Sequence, residues 1–216
     1  VSTEDTAAAR RTGIDWRGAE FILTLLAFLG FVTLGIKITT VYSDLPAHPL
    51  FVHVPVILIP TAVVAALVVM VRPEWLGRYG IALSLVSIVA MSSIFLTMQA
   101  GSALRGELHL HGEAASLISE HSQAANILAI VFTLFTAVLI LTFAAWRISG
   151  GVPTGLAIVD GPLGSRSTFN ALRILLVILA IAAGFFTFRT GDLGAKAVWA
   201  GKLQAAQRAS TKPAAP

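Results

Sequence analysis

The apolar positions of this chain fall neither at the period of a strand nor on one stripe of an amphipathic helix; they form long blocks separated by short polar joints. A block that is apolar all round is the pattern of a helix whose outer surface meets lipid rather than water. Five blocks can be drawn, at about Phe21–Val41, Leu50–Val71, Tyr79–Ala100, Ser122–Trp146 and Arg173–Arg189. Each approaches the roughly 20 residues that an α-helix needs to cross a hydrocarbon core of about 30 Å. The pattern predicts an all-α integral membrane protein with five transmembrane helices in one domain, residues 20–203. A polar N-terminal tail, 1–19, precedes it, and a disordered Ala, Lys and Pro rich tail, 204–216, follows.

The joints refine this. Trp16 and Tyr42 flank the first block as interfacial aromatics, and Lys37 is close enough to its end to snorkel. That block is longer than a signal-peptide core and has no small-residue cleavage site, so it is expected to be retained as a helix. Pro55 and Pro60 should loosen or bend the first half of the second block, because proline removes a backbone donor and crowds the preceding turn. The stretch "RPEWLGR" from Arg72 reads as a tight turn, and residues 147–170, rich in Gly and Pro, read as a long loop. Arg173 and Arg189 are expected to snorkel from the two ends of the short fifth block. Gly80 with Ser84, and Ala180 with Gly184, are spaced for close helix packing. No internal repeat is legible.

Composition strengthens the membrane reading: 56% of residues are hydrophobic and 12% charged, against about 25% charged in ordinary soluble domains. The net charge of +4 suits an anionic lipid surface. Nucleic acid is not an expected partner, since no basic run is interleaved with aromatics. An odd number of crossings puts the termini on opposite sides and collects His48, His53, His109, His111 and His121, all five histidines, at one end of the bundle. The other end carries Arg10, Arg11, Arg17, Arg72, Arg78, Arg147, Arg166 and Arg173, against Arg105 in the loops of the histidine face, with Arg189, Lys196 and Lys202 of the C-terminal segment blunting the bias. By the positive-inside rule, the N-terminus is cytoplasmic and the histidine face and C-terminus are on the periplasmic side of a bacterial inner membrane.

Candidate chemistry concentrates on that face. The absence of cysteine excludes disulfides, thiolate metal sites and thiol catalysis, and no GxSxG elbow, Walker loop or HExxH helix is present. Pro49 suits a first helical position and biases His48 towards an extended, cap-like conformation. His53 then lies inside the membrane, where its ring needs a partner: a neighbouring helix or loop carbonyl, a ligand, or a proton relay. His121 falls on an inward stripe with Leu117, Ala125 and Leu128, at the depth of His53. Two imidazoles on facing helices at one depth are what a haem b requires as axial ligands. Gln99 ends the third block on the same face, either as an interfacial polar residue or as a donor to a quinone carbonyl or haem propionate. His109 and His111, with Glu107 or Glu113, suit either a solvated loop or a copper or zinc site.

Three stretches, "HPLFVHVPVILIP", "LISEHSQAANIL" and "TGDLGAKAVWAG", resemble the signatures of the bacterial membrane-protein family catalogued as domain of unknown function 2231. The likeness covers about residues 45–201 and implies a four-helix core, with the first block as an N-terminal addition. It marks His48, Pro49, His53, Pro55, His121, Gly191, Gly194 and Gly201. The Tyr-x-His-Gly ending often seen in that family reads Trp199-Ala200-Gly201 here, so any ligand role for that last histidine is absent. Such domains also occur joined to, or beside, redox proteins, which implies electron transfer. The residues and the resemblance together lead to an integral membrane subunit, not an enzyme by itself, that anchors a periplasmic oxidoreductase and exchanges electrons with the quinone pool. His53 and His121 are the expected haem ligands, His48 the alternate, and Gln99 with a Gly191 to Gly194 turn the outer rim. The alternative is a non-catalytic assembly subunit without a cofactor, whose histidines fix partner geometry. Metal or proton transport ranks last, because the histidine-free half offers almost no ionisable groups within the bilayer.

Overall fold

The computed structural model describes residues 47–107, 111–153 and 157–211. The block at 21–41, the tail at 1–19 and His109 lie outside the described residues. The elements are α1 (Ala47–Phe51), α2 (His53–Val71), a 3₁₀ turn (Pro73–Trp75), α3 (Leu76–Glu107), α4 (Glu113–Ser149), α5 (Ala157–Leu163) and α6 (Arg166–Thr211). Among the described residues, four helical segments are long and apolar enough to cross a membrane: Ala47–Val71, Pro73–Glu107, Glu113–Ser149 and Arg166–Ala200. The protein is an all-α integral membrane protein.

The expected loosening at proline is confined to one residue. Pro55 has no N–H to give to the Phe51 carbonyl, and the helix loses regularity at Val52. The ladder nevertheless runs through, with Val52 N–H donating to the His48 carbonyl at 3.0 Å and Val56 N–H to the Val52 carbonyl at 3.2 Å. α1 and α2 therefore form one crossing, and α2 continues past Pro60 without a break.

The four crossing segments pack in the order α2, α3, α4, α6, with α6 returning to α2. Their core is centred on Ile59, Met91, Phe132, Phe135, Leu139 and Leu176, all essentially inaccessible. Small residues let α3 approach α4: a methyl at Gly80 would collide with the Phe143 ring, and one at Gly77 with Trp146. Ser84, Ser87, Ser92, Thr136 and Thr142 are buried, and each donates its hydroxyl to the carbonyl four residues back, at 2.7–2.9 Å. Polar side chains are thus carried into an apolar interior with their donors used within one helix, as a bilayer requires. The second expected close-packing pair is half realised. Ala180 is fully buried, whereas nothing lies within 4 Å of a methyl built on Gly184.

Five expectations about the C-terminal third are corrected. The long loop at 147–170 is mostly helical: α4 reaches Ser149, α5 intervenes, and α6 begins at Arg166. The short fifth block is the middle of a 46-residue helix that passes through Arg189, Gly191 and Gly194 and continues to Thr211. No turn forms at Gly191–Gly194, and the tail expected to be disordered from 204 is helical to Thr211. Glycine costs only about 1 kcal/mol in a helix interior, and the packing of α6 against α4 and α2 offsets it. Arg173 does not snorkel away: its guanidinium donates to the Met70 carbonyl at the end of α2.

Candidate functional site

His48 is helical, not extended as its position before Pro49 suggested. Ala47, 1% exposed, seats the first turn against α3, and Pro49 still falls among the first residues of the helix, whose N–H groups have no intrahelical acceptor. This choice decides which histidine faces inward. Five residues advance about 140° round a helix, so His48 and His53 cannot share a face. His48 is half-buried towards α3, and His53 is exposed on the outside of α2. The ring that meets His121 is therefore His48, not His53: the two centroids are 6.3 Å apart and the planes nearly perpendicular, at 88°.

Each ring is held by a backbone carbonyl of a different helix. His48 Nδ1 lies 2.9 Å from the Thr97 carbonyl oxygen on α3, and His121 Nδ1 lies 2.8 Å from the Thr190 carbonyl oxygen on α6. A carbonyl only accepts, so in both rings Nδ1 carries the proton and donates. In the neutral imidazole Nε2 is then left with its lone pair, directed away from the helix that holds the ring. A backbone carbonyl fixing Nδ1–H while Nε2 stays basic is the arrangement that orients metal-ligating histidines.

Glycine makes room for both rings. A methyl on Gly101 would lie 2.9 Å from His48 Nδ1, and one on Gly194 would lie 3.1 Å from His121 Nδ1. The two threonines that supply these carbonyls keep buried hydroxyls without hydrogen-bond partners, Thr97 Oγ1 and Thr190 Oγ1, and two residues further along α3 the carboxamide oxygen Gln99 Oε1 is buried and unmatched as well. In an apolar setting such atoms are costly to leave unmatched. Gln99 thus belongs to this end of the bundle, with its carbonyl oxygen unmet.

The other described histidines, His53 and His111, do not join the pair. His111 is exposed at the start of α4. Among the described residues no group of three or more His, Asp or Glu side chains could hold a metal ion; the copper or zinc site expected from His109 and His111 with Glu107 or Glu113 lies partly outside them, at His109. Two nitrogens do suit an ion that needs only two protein ligands. The donor set fits the axial ligation of a haem iron, for which two histidines suffice.

Sequence reasoning missed Thr97, Thr190 and Gly101. The threonines act through main-chain oxygens, which leave no side-chain signature. Gly101 gave no signal of its own, whereas Gly194 was marked by the family resemblance.

A family model described as "Predicted membrane protein (DUF2231)" matches residues 44–207. Among curated proteins and solved structures, none matches significantly.

Proposed function

The chain belongs to the DUF2231 family of predicted membrane proteins, and on that premise we propose that it is an electron-transfer membrane subunit in which His48 and His121 hold the iron of a haem b. The observation that carries this reading is the ring pair, 6.3 Å apart with both Nδ1–H groups committed to carbonyls and both Nε2 lone pairs unspent. When bound, the haem supplies one-electron chemistry. The chain supplies the rest: Thr97 and Thr190 fix the tautomer of each ring, and Gly101 and Gly194 let the rings lie against α3 and α6. Gln99 offers a carboxamide to a propionate or a quinone oxygen. His53 is assigned no ligand role.

The arginine-rich end belongs in the cytoplasm by the positive-inside rule. This places the histidine end at the outer surface of a bacterial inner membrane, within reach of the quinone pool and of a periplasmic oxidoreductase docking there. A dithionite-reduced minus air-oxidised spectrum of the detergent-purified protein, with a pyridine haemochrome assay, tests the reading. A b-type α-band at about one haem per chain is the expected result; a featureless spectrum from folded protein overturns it.

A second reading is favoured by the same two bonds. His48 ties α1 to α3 and His121 ties α4 to α6, so the rings serve as helix clips in a non-catalytic assembly subunit. It predicts a colourless protein whose His48→Ala and His121→Ala variants lose thermal stability and partner association together.

A further inference from the structure

The two clips are one arrangement built twice. In the first, the His48 ring donates to the Thr97 carbonyl and lies against Gly101, four residues further along the same helix. In the second, the His121 ring donates to the Thr190 carbonyl and lies against Gly194, again four residues further. Both threonines, moreover, keep a buried hydroxyl without a partner. In each case the histidine sits near the start of a crossing that runs away from this end, and the threonine and glycine sit on the crossing that returns.

Packing repeats the correspondence. The helices touch in the cyclic order α2, α3, α4, α6. A half-turn about the bundle axis that exchanges α2 with α4 and α3 with α6 maps this cycle onto itself. The two rings meet each other where the halves meet. Sequence spacing hides the match, since histidine and threonine are 49 residues apart in one half and 69 in the other. Part of that difference is the α4–α6 connection, which carries α5 where α2 and α3 are joined by a short 3₁₀ turn.

The ligand class follows from what the site leaves unmatched. With both Nδ1–H groups committed to carbonyls, each ring keeps one lone pair, on Nε2. Two neutral imidazole nitrogens on rings 6.3 Å apart are the donor set of an electron-pair acceptor, a metal cation.

We infer that the bundle is two copies of one clipped helix hairpin related by a pseudo-two-fold axis, and that the centre takes a single metal cation on that axis, with Gly101 and Gly194 as matched positioning residues. The metal part rests on the ligand reading above; the duplicated clip does not.

The test uses the full chain in detergent, reduced with dithionite and labelled with nitrogen-15 at histidine, as wild type, Gly101→Ala, Gly194→Ala and the open-space control Gly106→Ala. Nitrogen NMR reports the tautomer of each ring, and elemental analysis reports bound metal per chain. Wild type should show Nδ1–H signals for His48 and His121. Gly101→Ala should remove the His48 signal alone, Gly194→Ala the His121 signal alone, and Gly106→Ala neither. Bound metal should fall by about tenfold or more, and to the same extent, in both positioning variants, the range found when metal-ligand support is lost. Retention of both signals in the two positioning variants, or loss in only one half, overturns the duplicated clip. Unequal metal loss overturns the axial placement. A bound metal other than haem iron would sink the haem reading and leave this inference standing, and a metal-free wild type with intact tautomer signals would sink the cation on the axis.

Discussion

The two ends of this bundle use polarity in opposite ways. At the arginine end, four cations are set over aromatic rings: Arg72 over Trp75, Arg78 over Tyr79, Arg147 over Phe143 and Arg173 over Phe169, at 5.6–5.9 Å. Arg173 also donates to the Met70 carbonyl, which α2 would otherwise leave unmet at its C-terminus. Polar groups there close the bundle against the interface. At the histidine end, the rings are locked with equal care, yet the locking leaves two Nε2 lone pairs and three buried oxygens without partners. Partial burial is common to both ends, and one buried nitrogen without a partner, Arg173 Nε, lies at the arginine end too; what distinguishes the histidine end is that its unspent atoms include two basic nitrogens on rings 6.3 Å apart.

The comparison can be broken or sharpened by substitution. The largest effect is expected for His48→Ala or His121→Ala, each of which should lower bound haem by more than about tenfold while His53→Ala leaves it unchanged, read by Soret absorbance per chain. If Arg173→Ala removed as much haem as His121→Ala, the two ends would not be separate. Next comes Gly80→Ala, which forces a methyl onto the Phe143 ring and should cost about 1–3 kcal/mol in thermal unfolding, with the spectrum retained. Arg173→Met should cost less, about 1 kcal/mol, because the residue is half-buried and its lost bond is one of a helix end. The smallest effect is expected at Lys196→Ala, which removes an exposed pair with Asp192 at 2.7 Å; the same unfolding measurement should move by less than about 0.5 kcal/mol.

The crossings were legible because uninterrupted apolar blocks of membrane length admit few alternatives, and the gathering of the histidines followed from counting them. The pairing was not, because it turned on where the second crossing begins. Reading His48 as extended left His53 as the inward ring. Continuing the helix back to Ala47 puts His48 on the buried ladder of Ala47, Pro55, Ile59 and Ala62 and turns His53 outward. That ladder, at spacings of three, four and eight residues, does not stand out in the sequence, because Val54, Val56, Ile57 and Val64 on the exposed side of the same helix are as apolar. The carbonyls of Thr97 and Thr190 gave no signal, because every residue type supplies the same oxygen and only its position in space differs. The helical course of Gly191 to Gly194 was hidden for a related reason: glycine reads as a turn unless its neighbours in the fold are known.

The length of α6 has a mechanical consequence. At 1.5 Å per residue, the helix from Thr190 to Thr211 is a rod of about 30 Å that starts at the depth of the histidine pair, and an unbroken hydrogen-bond ladder joins its tip to the carbonyl that holds His121. Buried Leu193 and Ala197 hold its first turns against the bundle, so a sideways load at Thr211 acts about those residues on the turn that carries Thr190. The orientation of one of the two rings is therefore geared to whatever leans on the far end of the chain.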